Sequence, residues 1–183
     1  METLVNIDIF LFKLINDSGF ESIDNIMILL SNKIIFIPLY LFLLYKLYNF
    51  NPKKFFWILL SIAVLIFLAD FGSVHLFKNM IQRLRPCHLL NLNEIRLIGD
   101  CGGQYGFISS HAANMFSISF FISLILKDLK LFISLFTLAS LVGFSRIYLG
   151  VHFPLDILGG MFWGILVSII SYKTLKIKLN ATV

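Results

Sequence analysis

Charge is scarce in this chain. Only 14% of its 183 residues are Asp, Glu, Lys or Arg, against about a quarter in an ordinary soluble domain. With 58% hydrophobic residues and a mean hydropathy of +0.89, that shortage excludes a soluble globular protein and indicates an integral membrane one. Arginine is scarcer still, at Arg83, Arg85, Arg96 and Arg146 alone. The net charge of +5 forms no basic stripe, so it does not read as a nucleic-acid surface. Cysteine is limited to Cys87 and Cys101, and there is no low-complexity linker. A cleavable signal peptide is not evident either. Residues 1–24 carry Glu2, Asp8, Asp17, Glu21 and Asp24 and lack a basic segment followed by a clean apolar run.

What the chain does have is long apolar stretches and phenylalanine, at 20 residues. Five stretches, roughly 34–48, 55–77, 111–126, 131–149 and 156–172, approach or reach the length that crosses a hydrocarbon layer of ~30 Å. Helices are expected, because a spanning segment must satisfy its own backbone hydrogen bonds. The expected fold is therefore all-α: a polytopic membrane helix bundle of about five transmembrane helices, preceded by an N-terminal amphipathic or re-entrant helix. One domain is expected over 1–183, with residues 1–33 as the N-terminal segment. There Leu4, Ile7, Phe10, Leu11, Leu14 and Ile15 recur at helical spacing, with charges on the other side. Ile23 to Leu30 reads as a short shallow or re-entrant piece. Pro52, Pro86 and Pro154 fall at span boundaries, where a missing N–H does least harm, while Pro38 is placed to kink the first span.

Lysines set the expected orientation. Lys46, Lys53, Lys54, Lys127, Lys130, Lys173, Lys176 and Lys178 flank one end of the spans. The other end holds the acidic N-terminus, the 78–108 loop and the turn 150–155. That end is expected outside the cytoplasm, despite carrying all four arginines.

Three polar clusters lie at that end. The first runs from Lys78 to Arg85 and Pro86. If the helix continues past residue 77, Lys78 and Arg85 are about two turns apart on one face, and Pro86 stops it. Alone this is also what a snorkelling basic anchor looks like. The second is Ser109-Ser110-His111. Either serine suits an N-cap, leaving free N–H groups and a positive helix end toward an anion, with His111 in the first turn. Alone this also reads as a cap followed by a surface histidine. The third is Ser145-Arg146, then His152 and Asp156. Its spacing lets Asp156 accept from one nitrogen of His152, fixing the tautomer and leaving the other nitrogen free to attack. The planar guanidinium suits bidentate phosphate recognition, which marks Arg85 and Arg146. Arg83 and Arg96 are better read either as chance neighbours of the motifs or as structural partners of Glu94 and Asp100. The set is rich in cations and poor in Cys and carboxylates, so neither a metal nor a cofactor is expected.

Together the pattern Lys78-(six residues)-Arg85-Pro86, Ser109-Ser110-His111 and Ser145-Arg146-(five residues)-His152-(three residues)-Asp156 resembles the three-part signature of the type 2 phosphatidic acid phosphatase superfamily. That superfamily shares its site with vanadium haloperoxidases. The likeness covers about residues 55–172, the expected catalytic core. One motif departs from the usual Pro-Ser-Gly-His, since Ile108 and Ser110 stand for Pro and Gly. The resemblance implies hydrolysis of a phosphate ester without metal. His152 would be the nucleophile, Asp156 its orienter and His111 the acid–base group. Lys78, Arg85, Ser109, Ser110 and Arg146 would bind phosphate.

Other candidates are less central. Cys87 and Cys101 share the loop expected outside, where an oxidising compartment allows them to pair; closing that loop would contribute roughly 3 kcal/mol. Asp70 reads equally as an acid near the site or as a hydrogen-bond partner of a neighbouring helix. His75 suits a packing role, or one behind the phosphate-binding residues. Gly159, Gly160 and Gly164 suit helix packing. The expected partners are a lipid-linked phosphate and membrane lipids, with no nucleic acid and no obligate protein partner. Among substrates the leading expectation is undecaprenyl diphosphate. Lipid A phosphates, phosphatidylglycerophosphate and phosphatidic acid are the alternatives, and a non-enzymatic lipid or anion carrier is the other class. The expected location is the bacterial inner membrane, with the site facing outward.

Overall fold

The computed structural model describes residues 2–181; Met1, Thr182 and Val183, the ends of the expected domain, lie outside the described residues. Its helices in order are α1 (Glu2–Asp17), α2 (Glu21–Ser31), α3 (Ile37–Phe50), α4 (Phe55–Phe71), α5 (Asn79–Ile81), α6 (Pro86–Leu89), α7 (Ser110–Leu126), α8 (Leu129–Tyr148) and α9 (Pro154–Ala181). A π-helical segment, Gly72–Lys78, joins α4 to α5. Among the described residues no strand forms beyond a single bridge between Leu84 and Tyr105. Four helical stretches are long and apolar enough to cross a membrane: Lys33–Phe50, Pro52–Ile81, Leu129–Tyr148 and Pro154–Lys178. The shorter apolar helix Ser110–Leu126 completes the five hydrophobic segments.

That short helix is the centre of the bundle. α7 packs against α9, α8, α4 and α3, and nine of its side chains are buried, from Ala112 to Ile125. Its closest neighbour is α9. A Cβ added at Gly160 would lie 2.7 Å from the Ser109 carbonyl oxygen, and one at Gly164 2.6 Å from that of Ala113. Only hydrogen at those positions lets the two backbones approach so closely. Ser168 Oγ, one turn further on, donates to the Ser117 carbonyl at 2.8 Å. Around this centre the apolar surface points outward. Leu41, Phe56, Phe67, Ile133, Phe162 and Ile170 are all exposed, as lipid-facing side chains should be.

The π-helical segment changes the register of the second span just before Lys78. Its start is fixed by Gly72, where a Cβ would lie 2.3 Å from the Trp163 ring. Trp163 Nε1 donates to the Ala69 carbonyl at 3.3 Å, the kind of side-chain support a local change of helical hydrogen bonding requires. The helix does not run on to Arg85 as expected. The chain leaves it at Gln82, which is left-handed with φ 51°, and Arg85 is extended. Pro86 opens α6 instead of stopping a helix, because the first helical turn needs no N–H from it.

α1 also differs from expectation in where its polar side points. Leu4, Ile7, Phe10, Leu11 and Leu14 are exposed, while Asp8, Phe12 and Asn16 are buried against the rest of the protein. The apolar face is outward and the polar face serves the site loops. Asn16 Nδ2 donates to the carbonyls of Arg96 and Tyr148, and its Oδ1 accepts from the Arg96 N–H, each at 2.8 Å. Arg96 pairs with Asp24 on α2 at 2.9 Å, not with Glu94 or Asp100. Tyr148 Oη also donates to Asp24, at 2.5 Å. The long 82–109 loop is thus pinned to both N-terminal helices. Within it, the structure joins Cys87 to Cys101 with a Cα–Cα distance of 6.1 Å.

Candidate active site

The site forms where α7 and α9 begin and α8 ends. Gly150, at φ 82°, turns the chain out of α8. The N–H groups of Val151 and His152 then bond back to the Arg146 carbonyl at 3.2 and 3.3 Å. Pro154 starts α9, and Asp156 lies in its first turn. The two starting points are tied together, for the Ser109 N–H donates to the Asp156 carbonyl at 3.0 Å.

His152 and Asp156 are 1% and 0% exposed. His152 Nδ1 lies 3.1 Å from Asp156 Oδ2, which also accepts the Phe153 N–H at 3.0 Å. A carboxylate in that position receives the proton-bearing nitrogen and leaves Nε2 with its lone pair. Burial holds His152 down to about 4 even though Asp156 pulls it upward. It is therefore neutral, and nucleophilic, at neutral pH.

Besides Arg83, which contacts Asp156 directly, three cations act on this pair electrostatically. Lys78 Nζ donates to Ser110 Oγ at 3.0 Å, and Ser110 Oγ is 2.6 Å from Ser73 Oγ. Arg85 is buried, with Nη1 on the Cys101 carbonyl at 2.9 Å and Nε on that of Tyr105 at 3.3 Å. Burial lowers its proton affinity, and Asp156 and Asp100 partly restore it. Arg146 Nη1 donates to Ser31 Oγ on α2, while its buried Nε has no partner. Among the described residues, none of Lys78, Arg85 and Arg146 forms an ion pair with a carboxylate. Arg83 and Arg96 do. Partly buried cations left without an anion are costly unless something negative arrives.

Ser109 is wholly buried and caps α7, accepting the Ala112 N–H at 3.5 Å. His111 faces a cavity of about 390 Å³ between α3, α4, α7 and α8. Phe36, Leu43, Ile62 and Ile122 line its apolar length, and Ser31, Lys33 and Asn114 join His111 among the lining residues. Asp70 accepts from Asn114 Nδ2 at 3.3 Å, which makes it a partner of the neighbouring helix. His75 is exposed and packs edge-on against Phe71 at 4.2 Å, so packing describes it.

Known proteins give this arrangement its place. The family model described as PAP2 superfamily matches residues 54–179. The chain belongs to the PAP2 superfamily. Two similar proteins are lipid A 4'-phosphatases. The one from Porphyromonas gingivalis is 30% identical over 94% of this chain and 75% of its own length; that from Bacteroides thetaiotaomicron is 32% identical over 90% and 75%. An undecaprenyl-diphosphatase from Sulfolobus acidocaldarius is 28% identical over 94% of this chain and 80% of its own. The crystal structure of the transmembrane PAP2-type phosphatidylglycerolphosphate phosphatase from Bacillus subtilis has the same fold. It superposes with a TM-score of 0.72 at 21% identity, covering 95% of this chain and 87% of that one. This PAP2 protein is accordingly a multi-span membrane lipid phosphatase, a hydrolase.

Some polar partners around the PAP2 signature were not foreseen. Ser73, in the π-helical segment, has its Oγ 2.6 Å from Ser110 Oγ, which also accepts from Lys78. Arg83 is not a partner of Glu94 or Asp100. It donates through Nη1 to Asp156 Oδ1 at 2.9 Å and through Nη2 to Asp8. The available signal was the crowding of arginines beside the motifs. Nothing local points from Arg83 to an acid 75 residues away.

Proposed function

We propose that this protein removes a phosphate from lipid A or a closely related glycolipid through a phosphohistidine on His152. What carries the chemistry is the buried pair of a neutral His152 and the Asp156 carboxylate, near three cations that have no carboxylate partner among the described residues. Lys78, Arg85 and Arg146 receive the phosphate oxygens, helped by Ser110. His152 Nε2 forms a bond to phosphorus as the bond from phosphorus to the lipid oxygen breaks. His111 enters this step as the imidazolium, a form favoured by the arriving phosphate charge. It gives its proton to that oxygen and becomes the neutral imidazole. Water then attacks the phosphohistidine, His111 takes a proton from it, and inorganic phosphate leaves with His152 restored. Acid–base assistance of this kind contributes about 10²–10⁴-fold, and charge stabilisation by the cations contributes most of the rest. Ser109 caps α7 by accepting the Ala112 N–H, which leaves its O–H free to donate to a phosphate oxygen.

The leaving group is the lipid, and His111 is the residue that protonates it. The apolar cavity begins at His111, so a chain lying there would carry its oxygen to the acid. For the headgroup, the two lipid A 4'-phosphatases favour lipid A over the undecaprenyl diphosphate expected first; a single relative supports the latter. A site outside the cytoplasm is supported by the lysines at the opposite end of the bundle and by the Cys87–Cys101 bridge beside the site. A phosphate-release panel on purified protein tests this reading. Lipid A, undecaprenyl diphosphate, phosphatidylglycerophosphate and phosphatidic acid are compared for wild type and His152→Ala. Lipid A should give the highest kcat/KM, and His152→Ala should release nothing. A panel led by undecaprenyl diphosphate would overturn the substrate, and an active His152→Ala the mechanism.

A further inference from the structure

The carboxylate that orients the nucleophile is itself held from the N-terminal helix. Asp156 directs Oδ2 to His152 and to the Phe153 N–H, and Oδ1 to Arg83 Nη1 at 2.9 Å. Arg83 has its second terminal nitrogen on Asp8, a residue of α1 that is 2% exposed. Asp8 then reaches the same place by another route. Its Oδ1 accepts the N–H of Leu155 at 2.9 Å, one of the donors that the first turn of a helix leaves free. Asp8 thereby acts as a cap for α9 supplied from a different helix. Phe153 lies between, with the Arg83 guanidinium 4.4 Å from its ring centroid and Phe12 of α1 edge-on to it at 5.2 Å.

We infer that Asp8 and Arg83 are positioning residues for the reaction, which together lock the Asp156 side chain and the turn that bears it so that His152 keeps its attacking geometry. The inference rests on the phosphohistidine reading above. Two features separate this role from a simple staple between α1 and the bundle. Arg83 uses separate nitrogens on the two carboxylates, a fork that a lysine point charge cannot reproduce. And both oxygens of Asp156 are committed in direction, so losing the Oδ1 partner frees it to rotate away from His152. Arg83 has its charge matched by two carboxylates, Asp8 and Asp156, whereas Arg85 and Arg146 pair with none among the described residues.

The experiment compares wild type, Asp8→Asn, Arg83→Gln, Arg83→Lys and the Asp8→Asn/Arg83→Gln double variant. Each full-length protein is purified in detergent and assayed for phosphate release from a short-chain phosphatidic acid in mixed micelles, with His152→Ala alongside. Small misplacements of reacting groups cost up to about 100-fold, so Arg83→Gln should lose roughly 10- to 100-fold in kcat with KM within about twofold. Asp8→Asn should lose about 10-fold, and Arg83→Lys should recover part of the Arg83→Gln loss. Because both residues act through Asp156, the double variant should be no worse than Arg83→Gln alone within about twofold. Losses that multiply, a raised KM at unchanged kcat, or wild-type kcat in every variant would each overturn the inference. Should Arg83→Gln not fold, Asp8→Asn and Arg83→Lys decide the matter by their kcat and KM. An active His152→Ala condemns the underlying reaction instead. A dead His152→Ala beside unaffected Asp8 and Arg83 variants condemns only the positioning role.

Discussion

The two ends of the bundle are built from opposite materials. At one end, Asn51 caps the Pro52–Lys54 turn and Asp128 caps α8, and these short connections carry exposed lysines. Its polar contacts are local or at the surface, such as the half-exposed Lys46–Asp128 pair at 3.7 Å; pairs of that kind contribute about 0–1 kcal/mol. At the other end, Asp8, Asn16, Arg85, His152 and Asp156 are buried, and partners up to 147 residues apart meet. A chain with so few charges concentrates its buried ones where α7 and α9 begin. The contrast separates the end that holds the candidate site from the end that meets water.

The largest break in that comparison should come from His152, the proposed nucleophile. His152→Ala should lower phosphate release by more than about 10³-fold, as removal of a covalent catalyst does, in a steady-state assay of folded protein. Arg146→Gln, which removes an unpaired cation, should cost roughly 10²–10³-fold in kcat; a loss below tenfold would mean that Arg146 serves only its bond to Ser31. Acid should act on the same end. His152 must be neutral to attack and is held at about 4. kcat/KM should therefore fall about tenfold per pH unit on the acid side of that value and stay level just above it. An acid limb centred near the ordinary histidine value would show that His152 is not buried as described, whereas an alkaline limb would report His111 losing its proton. Cys87→Ser/Cys101→Ser should reduce unfolding stability by about 3 kcal/mol, the chain-entropy value for a loop near 15 residues, measured by chemical denaturation in detergent. The smallest effects belong to the opposite end, where Lys53→Gln and Lys130→Gln should leave kcat within about twofold of wild type.

The sequence exposed the parts of this protein that depend on short range. Hydrophobic length located the five apolar segments, four of them long enough to cross a membrane. The four-residue spacing from His152 to Asp156 anticipated their contact, because Pro154 starts a helix between them. The Lys78–Arg85 relation was read wrongly, since helical periodicity cannot foresee the left-handed turn at Gln82. The glycines of α9 were legible as packing sites, and Gly160 and Gly164 are such sites. Asp8 and Arg83 were beyond reach for another reason. A buried acid on α1 looks, by periodicity, like the polar side of an amphipathic helix, and only the folded chain shows that this side faces Asp156. The headgroup depends on relatives rather than on any single residue.

The claim on which the rest depends is that phosphate passes through His152. Rapid quenching of wild-type protein with radiolabelled lipid phosphate, followed by peptide mapping, tests it directly. The account predicts an acid-labile, base-stable label on the peptide containing His152, absent from His152→Ala. Label on another residue, or full turnover by His152→Ala, would contradict it.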